Sequence, residues 1–350
     1  MAETTKPVNI ASLNRAAETY DNQLRTLPFF TLEEVTSLFK LNVLEVSGKH
    51  IRTTFERKGG IMKPYSAEVT DKDTEEIGRI KEATLQTAMA FCSIFDSIHN
   101  YKDVNVLSNA GEKVDNKTKK HPLERKILET IVRTWSEDVL DAMFFAERNT
   151  SDMSPLGAFN GYETLLLEHI SEGDVSTVKG NLINSGAITD PDDEEDTDAV
   201  DTIIGWFKQL NPKLRRQNLL WIVPETVLFP VLASLENKLR FRSVATIQDL
   251  INYIKIHAMI PKIDILTHPC LGSGQRWYVQ AVGNMDFGMN TKTDGQFVQV
   301  RSILKDPNIV QFWIQAEYGA RWNELHPKMF ACNDQAAISN PLSGDYTLPS

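Results

Sequence analysis

Residues 309–322 read IVQFWIQAEYGARW. Phe312, Ile314, Ala316, Tyr318 and Ala320 alternate with Trp313, Gln315, Glu317 and Arg321. Side chains of an extended chain point to opposite faces in turn, so the pattern predicts a long strand with one apolar and one mixed face. RWYVQAV (276–282) and QFVQVRSI (296–303) give further strand patterns, with turn residues between them. Upstream, Leu123, Ile127, Ile131, Trp135, Val139 and Met143 recur at four-residue steps after Pro122, a favoured first-turn residue. Leu128, Val132 and Leu140 widen the stripe. The expected element is an amphipathic helix of roughly 25 residues, about 38 Å long. A long helix beside long strands makes an α+β layer.

The segment between helix and strands alternates in kind. Ala199 to Leu210 reads as a helix, and NLLWIV (218–223) as a short buried strand. A helix follows from Pro224, interrupted or started again near Pro230. Thr246 to Ile256 is a further helix, with Ile247, Leu250, Ile251 and Ile254 on one side, and KIDIL (262–266) alternates like a strand. Toward the N-terminus the signals weaken. Residues 1–30 show no clear period and read as an extended arm. Thr31 and Glu34 have capping-box spacing, which predicts a short helix ending near Leu41. Gly59-Gly60, flanked by Arg57, Lys58 and Lys63, marks a hairpin-like excursion. Residues 75–100 fit helix or strand, and GEKVDNKTKK (111–120) reads as a loop.

Composition narrows the function classes. The chain has 350 residues, 41% hydrophobic and 24% charged, with a net charge of −10. An acidic chain is poorly suited to grip phosphate backbones by its own field. The 3 cysteines (Cys92, Cys270 and Cys332) are odd in number and widely spaced, which fits a reducing compartment. No apolar run approaches the roughly 18 residues of a membrane span.

Candidate chemistry fares poorly. Glu317, Arg321 and His326 lie close in sequence, but a general base needs a nucleophile and an orienting acid beside it. Glu317 and Arg321 sit about 13 Å apart along an extended strand, too far to pair, and should meet different neighbours or another copy of the chain. His268, Cys270, His326 and Cys332 lack the spacing of a structural zinc site. The acidic run DPDDEEDTD (190–198) lacks the glycine and terminal glutamate of a calcium loop, which favours a solvated loop before a helix. Gly272-Ser273-Gly274 lies between strands and reads as a turn. No catalytic, cofactor or metal residues are assigned.

The order of elements, together with DGQFVQVRSILKDPNIVQFWIQAEYGARWNELHPKMFACND (294–334), resembles the major capsid proteins of tailed bacteriophages, with the Hong Kong 97-type (HK-97-like) fold. In that family a long strand carrying an acidic and a basic residue runs through a peripheral domain. A proline and a short apolar strand then return the chain to an axial domain. Glu317 and Arg321, Pro327, and Met329 to Cys332 would be those residues here. RQNLLWIVPETVLFPVLASL (216–235) and WYVQAVGNMDFGMN (277–290) resemble the axial domain's strand-then-helix and its next strand and turn.

The resemblance covers roughly residues 120–335 in element order. It implies an N-terminal arm (1–45), an extended loop region (46–118), a peripheral domain (119–175 and 286–325) and an axial domain (176–285 and 326–350). It further implies an icosahedral shell subunit of a double-stranded DNA phage, built from hexamers and pentamers of itself. Scaffolding, portal, and head-decoration or head-tail proteins would be partners. DNA would be enclosed without sequence-specific binding, no membrane would be involved, and assembly would occur in the bacterial cytoplasm. About forty residues precede the loop, so a scaffold would be a separate protein. Lys58 or Lys63 has no identifiable crosslink acceptor. Arg57, Lys58, Glu317 and Arg321 are the expected assembly contacts. An encapsulin-like compartment shares the fold, and a soluble α+β enzyme using Glu317, Arg321 and His326 is the remaining alternative.

Overall fold

The computed structural model describes residues 10–57, 78–97, 122–193, 196–239, 245–292, 296–303 and 306–339. Its long helix, α2 (Pro122–Phe145), is the one the four-residue repeat predicts. Leu128, Val132, Ala142 and Met143 on its inner face are fully buried. They form part of a cluster with Phe312, Ile314, Ala316, Tyr318 and Ala320, the apolar face of strand β11 (Asp306–Trp322).

The N-terminal arm departs from expectation. Residues 1–9 and the side chains of Thr31 and Glu34 lie outside the described ones, but Ile10–Phe39 is a single helix, α1, running through Pro28. Its buried stripe is Leu13, Ala16, Ala17, Leu24, Leu32 and Phe39. Two alanines carry the first turns, and alanine is a weak marker of periodicity though the best helix former. Helix α1 packs along α2. Asp21 Oδ1 accepts from Phe297 N at 2.7 Å, and Arg25 Nη1 donates to Thr291 O at 2.7 Å, anchoring the helix to the body.

Residues 75–100, ambiguous in sequence, contain two strands. Strand β2 (Lys49–Arg57) pairs antiparallel with β3 (Gly78–Gln86) from Lys49↔Gln86 to Arg57↔Gly78, forming a two-stranded ribbon. Residues 58–77, with Lys58, Gly59-Gly60 and Lys63, lie outside the described residues, as does 111–120. After Thr87 the chain continues as β4 (Ala88–Ser97), antiparallel to β11. Strand β1 (Asn42–Leu44) pairs with β9 (Met285–Asn290), β9 with β11, and β11 with β10 (Val298–Ile303). Glu317 and Tyr318 are paired with both β4 and β9, so those two strands flank opposite edges of β11.

A second sheet has the order β5 (Leu182–Ile183), β12 (Phe330–Asn333), β8 (Tyr278–Ala281), β6 (Asn218–Ile222) and β7 (Lys262–Leu266). One face packs on helices α4 (Asp198–Gln209), α6 (Glu225–Leu239) and α7 (Ile247–His257), the short α5 (Pro212–Arg215) lying between α4 and β6. Leu219, Trp221, Val279 and Ala331 face this second cluster, whereas Leu220, Ile222, Tyr278, Phe330 and Cys332 face the first. Burial on both faces explains why NLLWIV shows no polar alternation. Helix α6 continues through Pro230 without interruption; one lost N–H is tolerated in a helix whose inner face is buried. Helix α3 (Tyr162–Ser171) joins the layers, its buried Glu163 accepting from Tyr278 Oη and lying 3.3 Å from Arg276 Nη1. Among the described residues no helix is long and apolar enough to cross a membrane.

Trp135 Nε1 donates to Tyr318 Oη at 2.7 Å in the core between α2 and β11. Tyr318→Phe removes the acceptor and leaves a buried N–H unpaired, a cost of about 1–3 kcal/mol. A lowered denaturation midpoint with unchanged slope is the expected result, and a wild-type midpoint would show the bond contributes nothing.

Candidate assembly surface and hairpin junction

The ribbon meets the body where side chains are smallest. Gly288 of β9 and Gly319 of β11 are register partners. A Cβ on Gly319 would stand 2.4 Å from Gln86 O, and one on Gly288 would stand 2.9 Å from Leu85 Cδ2. Residues 85–87 therefore cross the sheet on bare backbone. Thr87 N donates to Gly48 O and Gly48 N to Thr87 Oγ1, both at 2.8 Å, closing the foot of the ribbon.

Two charges from the mixed face of β11 fix this crossing. Glu317 accepts from Ser47 Oγ at 3.0 Å, Gly48 N at 2.9 Å and Thr87 Oγ1 at 2.8 Å. Partial burial alone would raise its carboxyl, but these three donors outweigh it and hold the group below its ordinary range. Arg321 is only 3% exposed and pairs with Asp286 through Nη2. Its Nη1 donates to His50 O at 3.1 Å and Ala83 O at 3.0 Å, one carbonyl from each strand of the ribbon. Asn323 and Asn42 donate to Asp286 Oδ1 at 2.7 and 2.9 Å. Burial pushes the Asp286 carboxyl up, but hydrogen bonds from Asn323, Asn42 and Arg321 prevail and its pKa lies below the ordinary value.

Glu317 and Arg321 thus meet different partners, as their spacing predicts, but those partners belong to the same chain. Within the chain the two form an internal clamp, with Arg321 buried and Glu317 partly exposed beside it. Arg57 closes β2 opposite Gly78, and its side chain, like all of Lys58, lies outside the described residues. His326 Nδ1 accepts from Lys328 N at 3.1 Å within a turn. Likewise His268 Nδ1 accepts from Cys270 N at 3.2 Å. Burial pushes the Cys92 thiol up to about 11 and those of Cys270 and Cys332 higher still, away from the reactive thiolate.

The outward face of the first sheet was missed in the sequence. Met89, Phe91 and Phe95 project from β4, with Phe91 52% and Phe95 60% exposed. Phe91 stacks on Trp313 at 5.1 Å, and the Arg301 guanidinium covers the Trp313 ring at 5.3 Å. On the ribbon, Ile51 is 46% and Ile80 68% exposed. The signal for β4 was present in AMAFCSIFDS, where apolar residues occupy both parities, the mark of a strand with no wholly polar face.

No family model and no curated protein matches the sequence. Solved structures do. A chain from the satellite phage P4 procapsid including size determination (Sid) protein is 14% identical, with a TM-score of 0.47 over 88% of this chain and 97% of that one. A chain from Mycobacterium phage Adephagia is 11% identical, at TM-score 0.47 over 88% and 91%. A chain from the virus-like particle of Pyrococcus furiosus is 9% identical, at TM-score 0.44 over 90% and 99%.

Asp286→Asn leaves the Arg321 guanidinium buried without its counter-charge. The expected loss is about 3–5 kcal/mol, read from urea denaturation; a loss under about 1 kcal/mol would show that the clamp is not needed. Both clamp carboxyls have lowered pKa values, so their contribution is complete above the ordinary values of 3.8 and 4.5 and is lost as pH falls through the lower folded values. Stability should therefore decline on acidification below about pH 4.5, and less steeply in Glu317→Gln.

Proposed function

We propose that the chain is the structural subunit of a self-assembling icosahedral shell of the Hong Kong 97 type. The observation that carries this reading is the ribbon. An isolated two-stranded ribbon is marginal in water, and its open edges invite pairing with another chain. Here nine-residue strands stand out from a foot clamped by Arg321 and Glu317, carrying exposed Ile51 and Ile80. Such a structure makes sense when a neighbouring copy covers it. The exposed apolar face around Met89, Phe91 and Phe95 offers a second surface for burial against a neighbour. Many modest interfaces of this kind suit a closed symmetric shell.

On this reading the first cluster, with α2 and the long strands, is the peripheral domain. The second sheet with its helices is the axial domain. The net charge of −10 suits a wall that encloses double-stranded DNA without gripping it. Scaffolding, portal and head-tail proteins are the partners such a shell requires, and the host cytoplasm is its place of assembly. An encapsulin-like compartment differs in what the shell holds, so nucleic acid content distinguishes the two.

Expressed alone or with neighbouring genes, the protein should form closed particles visible by electron microscopy. Ile51→Ser combined with Ile80→Ser should abolish particles while changing subunit stability by no more than about 0.5 kcal/mol, as expected for exposed positions. A protein that remains monomeric under all conditions, or a double variant that assembles normally, contradicts the reading.

A further inference from the structure

Helix α3 ends in a sharp return. Gly173 adopts φ +76°, and the N–H groups of Asp174 and Val175 donate to His169 O at 2.8 and 3.1 Å. This backbone brings Asp174 back beside His169, in the wall of a cleft of about 810 Å³ that also touches Thr54, Lys81 and Glu82 of the ribbon. His169 Nδ1 stands 3.8 Å from Glu172 Oε2 and 3.6 Å from Asp174 Oδ2. Both separations are too long for a hydrogen bond. Although this nitrogen is shielded from solvent, it has no hydrogen-bond partner. One ligand atom from each of the three side chains falls within 4.8 Å of the others.

Those distances suit three donors around one ion. Zinc holds nitrogen and oxygen ligands at about 2.0–2.2 Å, which puts neighbouring donors about 3–3.5 Å apart after a slight closure. The donor set is one imidazole and two carboxylates, which favours a zinc-class ion over magnesium or calcium, both of which prefer oxygen alone. Asp174 is prepared for the role. Its Oδ1 receives Lys179 Nζ at 3.0 Å, which fixes the carboxylate in place. Its Oδ2 is left to face His169. The C-terminal end of a helix adds negative partial charge on the same side.

We propose that His169 Nδ1, Glu172 and Asp174 form a binding site for a first-row divalent cation of the zinc class, with its remaining coordination open to the cleft. The site stands independently of the shell reading. Full-length protein stripped with a chelator and titrated with zinc chloride should bind one ion per chain by calorimetry. His169→Ala should weaken binding by at least about 10-fold, and Asp174→Asn should also weaken it. His257→Ala, on the outer part of α7, should leave binding unchanged. Glu172→Gln, at a well-exposed position, provides a variant whose folding is not at risk. Zinc-soaked crystals should give an anomalous peak beside His169. Wild-type affinity in both His169→Ala and Glu172→Gln, no binding at micromolar zinc, or a peak elsewhere overturns the proposal.

Discussion

The buried guanidinium of Arg321 is the constraint from which the ribbon's position follows. A buried charge is tolerable only when paired and fully hydrogen-bonded. Asp286 supplies the counter-charge, Asn323 takes Nε, and the two carbonyls of His50 and Ala83 take Nη1. Those carbonyls belong to opposite strands of the ribbon. Satisfying one arginine therefore fixes both strands against β9 and β11. Glu317 fixes the turn-out point from the other side, through Ser47, Gly48 and Thr87.

The same strand divides its work by parity. Even positions of β11 from Phe312 to Ala320 seal the core beneath α2, and odd positions present Trp313 outward and Glu317 and Arg321 to the ribbon. Glycine at 319 interrupts the odd series at the place where Gln86 crosses. One strand thus combines core, crossing and clamp in a short span. The second sheet is tied in differently, by buried polar contact between Glu163 on α3 and the Arg276–Tyr278 segment leading into β8.

Elements whose hydrophobic pattern is dense were legible from sequence. Helix α2, strand KIDIL and the alternation of β11 match closely, because their buried residues are large and regularly spaced. Helix α1 was not legible, since Ala16 and Ala17 occupy buried positions that polarity scans read weakly. Strand β4 was ambiguous because it is apolar on both faces. The site was legible only in part. Alternation placed Glu317 and Arg321 on one face, but their partners Ser47, Thr87, His50 and Ala83 lie more than two hundred positions away, joined by topology that no local pattern carries. The converse holds for His169, Glu172 and Asp174, which are near in sequence yet meet only because Gly173 turns the backbone left-handed.

The crossing over Gly288 and Gly319 has a mechanical consequence. Beyond it, each strand of the ribbon extends about 30 Å, at roughly 3.3 Å per residue. A ribbon of that length clamped at its foot acts as a lever with its fulcrum at the glycine pair. Force applied along its length reaches the body as torque on Arg321 and Glu317, the nearest bonds to the pivot. At Gly319 the sheet meets the Gln86 backbone directly, and at Gly288 the Leu85 side chain takes the space a Cβ would need. The crossing resists compression stiffly, and the two charged clamps bear the bending load.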